Sequence, residues 1–418
     1  MSVQWVYGLC DMQSFFASCE VASRAPYADR AEYDDATDPP LVVAGDPERR
    51  SGIVLAATPP AKRLGVSTAM RLGEALRLVP GLVVVRPQME FYLQVSVRIQ
   101  HVMKSMFPLQ EQFSVDEGFF AIPTPSDLFP DPAASARELQ HKIWDQFRIR
   151  CRIGLAPNKW MAKMANAAAK KSPGGIVWWT EDDIATKLHP LPVTDMWGLK
   201  RRAEILRDEF KAETIGDVGA IPLGQLRDRF GVWGEIIHGW SHGRDRSEIN
   251  PDAYRAPNKS FSHRTTLPRD FDSRKDIAVV ILELLDEVCS RMRKARQKGR
   301  RVSLGLTYAG FDGGFCKART LTHSTDSPDQ LYPHLLALLD RWWSGRGVRA
   351  VMVGLDALQD YDGLQLTLFR DEPKKEGLLR TIDEIRAEFG TASIMRAVSL
   401  TDAGQLRGRS RKIGGHYA

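Results

Sequence analysis

Two apolar, strand-like runs about a hundred residues apart, each carrying acidic residues, constrain this chain more than any other feature. Residues 3–9 lead into Asp11, and residues 113–122 contain Ser114-Val115-Asp116-Glu117. Each run reads as a buried strand that delivers carboxylates to its end. As neighbours in one sheet they bring Asp11, Asp116 and Glu117 to one point, and the long segment between them must then be an excursion from that sheet. Clustered carboxylates repel one another unless a cation lies between them, and hard oxygen donors suit Mg²⁺. Two such ions about 4 Å apart activate a hydroxyl and stabilise a leaving phosphate oxygen. The plainer alternative is a strand end at Asp11 and a solvated turn at Asp116-Glu117, since clustered acids are often structural.

At 418 residues the chain is too long for one core and predicts two to four domains. Its 43% hydrophobic and 26% charged content is that of a soluble globular protein. No stretch approaches the ~20 apolar residues of a membrane span, and Met1 leads straight into a strand-like segment rather than a secretory signal. Five cysteines in no paired spacing predict a reducing, cytoplasmic setting and no zinc site. Residues 251–358 hold 18 Lys and Arg against 12 Asp and Glu, an excess of six that equals the net charge of the whole chain. Positive charge concentrated on one module is the footprint of a phosphate-backbone grip.

Strands at 3–9, 113–122 and 150–155, an edge strand at 82–86, and helices at 90–106 and 135–147 predict an α+β unit. Its antiparallel sheet carries helices on one side, a ferredoxin-like arrangement. A helix over 160–170 packs its Ala-rich face and leaves Lys159, Lys163, Lys170 and Lys171 free. An insertion carries short strands at 41–45 and 52–57, preceded by an acidic loop at 29–40. Residues 186–250 are helical with glycine breaks, and 250–258 read as a linker. Beyond it a β-α-β-β-α-β pattern ends near residue 355.

The motifs arrive in a telling order. Asp11-Met12-Gln13-Ser14-Phe15-Phe16-Ala17-Ser18-Cys19-Glu20 is followed by Ser114-Val115-Asp116-Glu117, and then by Gly154-Leu155-Ala156-Pro157-Asn158-Lys159. Next come the Lys170-Lys171-Ser172-Pro173-Gly174-Gly175 loop, Lys259-Ser260-Phe261-Ser262-His263 and Gly299-Arg300-Arg301-Val302-Ser303-Leu304. In this order they resemble the Y-family translesion DNA polymerases, the UmuC and DinB group, most closely the UV-protection polymerases of plasmids, phages and SOS-type responses. The resemblance implies a right-hand polymerase. Its ferredoxin-like palm would be 1–24 and 88–185, its small fingers 25–87, its helix-hairpin-helix-like thumb 186–250 and its linker 251–258. The βαββαβ little finger would be 259–358 and the C-terminal tail 359–418.

In that reading Asp11, Asp116, Glu117 and the backbone carbonyl of Met12 hold two Mg²⁺ ions, with Mn²⁺ as the alternative metal. Phe16 is the steric gate against a 2′-hydroxyl; as adjacent strand residues, Phe15 and Phe16 would point opposite ways. Lys62, in Pro59-Pro60-Ala61-Lys62 where many members have Tyr-x-Ala-Arg, joins Lys170 or Lys171 on the triphosphate. The thumb motif Met196-Trp197-Gly198-Leu199-Lys200 has Lys200 where a second Gly is usual. Lys259 and the run Arg291, Arg293, Lys294, Arg296, Lys298, Arg300 and Arg301 would grip DNA. Gln365-Leu366-Thr367-Leu368-Phe369 resembles the bacterial sliding-clamp pentapeptide, in which Gln365, Leu366, Leu368 and Phe369 make the contacts. The implied partners are primer-template DNA, deoxynucleoside triphosphates and a clamp, acting on a monomer without a membrane. A catalytically silent DNA-binding paralogue and a nucleotidyl cyclase are the rivals; the three acids disfavour the first and the basic module the second.

Overall fold

The computed structural model describes residues 4–24, 40–46, 51–252, 257–361, 372–414 and 416–417. The clamp-like pentapeptide with Gln365, Leu366, Leu368 and Phe369 lies outside the described residues, as does nearly all of the acidic 29–40 stretch. The chain divides into two compact units, 1–256 and 257–418.

In the first unit β1 (Gln4–Met12) runs into α1 (Phe15–Ala22). An insertion of β2 (Leu41–Asp46), β3 (Ser51–Ala57), α2 (Pro59–Arg63), α3 (Leu72–Leu78) and β4 (Val83–Val85) follows. The chain continues through α4 (Met89–Met106), β5 (Leu109–Gln112), β6 (Glu117–Thr124), α5 (Pro132–Phe147), β7 (Cys151–Ala156), α6 (Lys159–Ala169) and β8 (Ile176–Trp178). The sheet order is β5-β6-β1-β7-β8, with β1 antiparallel to both β6 and β7 and β8 parallel to β7. The long segment between the two acidic runs is thus an excursion that leaves and re-enters one sheet.

Two sequence expectations are corrected here. Residues 82–86 do not edge this sheet: β4 pairs parallel with β2 in a separate three-stranded sheet, β3-β2-β4. Three valines carry no pattern that selects a partner, and Leu82 is held in the insertion's own core with Val42, Val54 and Leu72. Residues 113–122 are not one strand either. The N–H groups of Phe113 and Ser114 both bond to the Glu117 carbonyl, so a hairpin turn occupies 113–116 and the strand starts at Glu117.

Both faces of the sheet are covered. Tyr92, Val95, Ile99 and Met103 of α4, and Ala136, Leu139, Ile143 and Phe147 of α5, recur at helical spacing and pack on Cys10, Met12, Phe120 and Ile153. Fully burying an aliphatic or aromatic side chain of this size contributes about 1.5–3 kcal/mol. The opposite face takes α6, capped by Asn158, whose side chain accepts from the Met161 N–H. A Cβ on Gly154 would lie 2.3 Å from the Ala162 carbonyl oxygen and 2.2 Å from the Asn166 nitrogen, so only glycine lets α6 rest directly on β7. Asn166 then donates to the carbonyls of Leu9 and Arg152, fastening α6 to β1 and β7.

Four helices follow: α7 (Arg201–Phe210), α8 (Ile215–Ala220), α9 (Leu223–Phe230) and α10 (Val232–Ser241). They share a core with α6, in which Trp160 stacks on Trp240 at 5.4 Å. Ahead of α7, Gly198 has φ +94°, and Lys200 has φ 44° and ψ −119°. The lysine therefore takes a backbone conformation that glycine normally supplies.

The second unit contains β9 (Ser260–Phe271), α11 (Arg274–Lys294), β10 (Gln297–Tyr308), β11 (Gly314–Thr325), α12 (Pro328–Trp342) and β12 (Val348–Asp360). The antiparallel sheet runs β11-β10-β12-β9, and α11 and α12 share a core with it through Ile281, Leu284, Val288, Leu335 and Leu339. A further helix, α13 (Glu372–Phe389), and the chain beyond it are fastened to this unit. Arg293 grips Asp383 at 2.6 Å, Arg396 grips Asp286 at 2.8 Å, and Ala403 is buried in the main core.

Candidate active site

One residue before the end of β1, Asp11 lies between Glu117 of β6 and Arg152 of β7, which are its cross-strand partners. The Met12 N–H donates to the Asp116 carbonyl at 2.9 Å, tying the hairpin turn to the strand end. Asp11 is buried and Glu117 half-buried. The Asp11 carboxylate pairs with the Lys170 ammonium at 3.1 Å, and Glu117 Oε1 accepts from Lys163 Nζ. Burial pushes the Glu117 carboxyl up; Lys163 opposes this and the neighbouring Asp11 adds to it.

The expected convergence of three carboxylates takes a different form. Asp116 sits on the turn, half-buried, with its Oδ1 accepting from Ser114 Oγ at 2.7 Å. Glu117 faces Asp11 because it opens the strand paired with β1, while its neighbour in sequence precedes that strand. Among the described residues no group of three or more His, Cys, Asp or Glu side chains is gathered to hold an ion. The donor chemistry nevertheless suits a hard cation, since Asp11 and Glu117 offer carboxylate oxygens from adjacent strands. Their charge is met by the ammoniums of Lys163 and Lys170.

Phe15 and Phe16 open α1 rather than ending a strand, so helical rotation separates them. Phe15 is buried in the sheet core. Phe16 is half-buried and stacks on Tyr92, with ring centroids 4.8 Å apart and planes at 19°. Tyr92 in turn donates to the fully buried Glu20 at 2.6 Å, and Gln88 and Arg24 also donate to that carboxylate. The turn before α1 is tight because Ser14 has φ 52°. Lys62 on α2 donates to Ser14 Oγ at 2.8 Å, and its ammonium is shifted down by burial and by Lys170, with Asp11 opposing. Lys62 and Lys170 therefore meet beside Asp11, and Lys171 is exposed next to them.

Three lysines expected to be free are engaged, Lys170 among them through Asp11. Lys159 pairs with Glu111 at 2.8 Å and is largely buried, and Lys163 holds Glu117. The helical pattern marked which face of α6 is apolar but not which strands lie under its edge. Lys163, Ser14, Tyr92 and Glu20 were missed as site residues for that reason: each acts through a partner remote in sequence.

In the second unit the basic run divides. Arg293 and Lys298 do not face solvent as expected. The guanidinium of Arg293 is spent on Asp383 and on the Asp326 carbonyl, with both side chains of the ion pair 11% exposed. Lys298 lies 3.7 Å from Glu376 and over the Tyr361 ring. Residues of α13 thus withdraw two of the seven cations from the surface. Lys259, Lys294, Arg296, Arg300 and Arg301 are exposed, and Arg291 is exposed while donating to the Ser262 carbonyl. Arg301 keeps a loose contact with Asp356 at 3.9 Å.

The chain matches the model described as the impB/mucB/samB family over residues 10–167 and that family's C-terminal domain over residues 258–368. It is 38% identical over 421 residues to DNA polymerase IV 2 of Bacillus subtilis, covering 100% of both chains. It is 37% identical over 412 residues to DNA polymerase IV 2 of Halalkalibacterium halodurans, covering 98% of each. It is also 33% identical over 384 residues to UvrX of Bacillus subtilis, a protein named for UV-damage repair, covering 90% of this chain and 91% of that one. In fold it resembles a solved Y-family DNA polymerase chimera of Dbh and Dpo4 with a TM-score of 0.67 at 23% identity. That match covers 84% of this chain and 98% of the other.

Proposed function

This chain belongs to the impB/mucB/samB family, the Y-family translesion DNA polymerases of the UmuC/DinB group, which are metal-dependent, and from that premise we propose how its residues serve the reaction. It is a DNA-directed DNA polymerase of the translesion type, and primer-template DNA and deoxynucleoside triphosphates are its substrates. The sheet unit is the palm, the insertion the fingers, the α7–α10 segment the thumb and the βαββαβ module the little finger.

The observation that carries the site assignment is the cross-strand pair of Asp11 and Glu117 with Lys62 and Lys170 beside it. Asp11 and Glu117, joined by Asp116 and the Met12 carbonyl, would hold two Mg²⁺ ions, with Mn²⁺ as the alternative. When bound, such ions lower the pKa of the primer 3′-hydroxyl and stabilise the leaving pyrophosphate. Lys170 and Lys62 supply positive charge to the triphosphate, where negative charge builds in the transition state. Lys62 does so as a point charge, without the bidentate fork of an arginine. Phe16, braced by the Tyr92 ring, presents an apolar edge that leaves no room for a 2′-hydroxyl.

Exposed cations of the second unit, Lys259, Lys294, Arg296, Arg300 and Arg301, hold the DNA backbone. The chain acts as a monomer in the cytoplasm and is recruited by a sliding clamp through Gln365, Leu366, Leu368 and Phe369, which rests on their sequence alone. All five cysteines are free and four are buried, and no helix among the described residues is long and apolar enough to cross a membrane.

Primer extension on intact and lesion-bearing templates tests this reading. Glu117→Ala and Asp116→Ala should abolish incorporation and leave primer-template affinity within about twofold, since phosphate contacts dominate affinity. Substantial extension by both variants would overturn the site.

A further inference from the structure

α6 is seated by close contact at Gly154 and by Asn166, which donates to the carbonyls of Leu9 on β1 and Arg152 on β7. That register sets Lys163, one turn before Asn166, over the start of β6. There its ammonium meets Glu117 Oε1 and lies 5.9 Å from the centre of the Phe113 ring. Both side chains of the pair are about 15% exposed, at 16% for Lys163 and 15% for Glu117. The pair spans two elements 46 residues apart in sequence, so packing rather than chain proximity brings it together. Lys163 takes one oxygen of the carboxylate, and across the strand pair Glu117 stands opposite Asp11.

We propose that Lys163 is a positioning residue for the metal site: by holding Oε1 it leaves the other oxygen of Glu117 aimed at Asp11, where an ion would be shared. This rests on the assignment of Asp11 and Glu117 as ligands. Lys159, one turn earlier on the same helix, is the internal contrast. It pairs with Glu111 and the Glu248 carbonyl, and so joins parts of the fold without engaging either candidate ligand. Partners that orient a ligand through its second atom typically alter metal affinity or activity by about 10–100-fold when removed.

The test uses the full chain and Mn²⁺ as the probe, with bound ion measured by electron paramagnetic resonance without DNA. Lys163→Met should weaken Mn²⁺ binding by about 10–100-fold and raise the metal concentration for half-maximal primer extension by the same factor. Lys163→Gln, which still offers an N–H to Glu117, should fall between Met and wild type, and Lys163→Arg should bind best of the three. Lys159→Met should lower the melting temperature and leave Mn²⁺ binding unchanged. Wild-type binding by Lys163→Met and Lys163→Gln, or tighter binding because the ammonium merely competes with the ion, would overturn the proposal. Glu117→Gln separates the two readings. If it too binds Mn²⁺ like wild type, the ligand assignment fails; if it alone loses the ion, only the role of Lys163 fails.

Discussion

Replacing Arg293 with alanine should destabilise the second unit by about 3–5 kcal/mol, the usual cost of removing one partner of a buried ion pair, with DNA affinity almost unchanged. The guanidinium donates to Asp383 at 2.6 and 3.0 Å and to the Asp326 carbonyl at 2.9 Å. Its loss would strip the Asp383 carboxylate, which is 11% exposed, of its ion-pair partner, and leave the Asp326 carbonyl without this donor. A unit of this size loses roughly 2–4 °C per kcal/mol, so its transition should fall by about 6–20 °C. The double variant Arg293→Met with Asp383→Leu should recover most of that, because apolar residues of similar volume often replace a buried pair without loss. Thermal unfolding of the full chain followed by calorimetry gives the first quantity, and DNA-binding anisotropy across a salt series gives the second. An unchanged transition, with a salt slope smaller by about 0.9 as when one phosphate is left without its cation, would refute the placement of Arg293 inside the fold and return it to the DNA surface.

Neutralising the exposed Lys294, Arg300 and Arg301 together should do the reverse: an unaltered melt, and a log–log salt slope smaller by about 0.9 for each phosphate no longer neutralised. Phe16→Ala should raise ribonucleotide relative to deoxynucleotide incorporation on the order of tenfold, equivalent to about 1.4 kcal/mol of lost steric discrimination; an unchanged ratio in a competition assay would place the gate elsewhere. Lys200→Gly should stabilise the first unit by about 1 kcal/mol in denaturant melts, since left-handed strain of about 1–3 kcal/mol is relieved against the entropy glycine adds to the unfolded chain. In acid, burial would raise the Asp383 carboxyl, but Arg293 outweighs this and holds it below the usual value. The stability it lends is therefore complete above the ordinary carboxylate pKa of about 3.9 and fades as pH falls through the lower folded value; the double variant should show a flatter stability profile there.

The sequence by itself determined most of the elements and the family. Apolar runs, helical spacing and the order of short motifs identified the strand ending at Asp11, the helices over α4 and α5, the βαββαβ module and the family. These are local properties, written in periods of two and 3.6 residues and in caps such as Asn158. What only the tertiary structure decided was who meets whom. It moved β4 into the insertion's sheet, opened a hairpin turn at residues 113–116, and faced Asp116 toward Ser114 while Glu117 met Asp11. It turned Lys163 from a free cation into the partner of Glu117, and buried Arg293 and Lys298 under a helix that the sequence marked as amphipathic without saying what it covers. An ionic or hydrogen-bonding side chain looks the same in a sequence whether it faces solvent or a partner a hundred residues away. Burial and cross-strand register settle the difference, and both belong to the assembled fold.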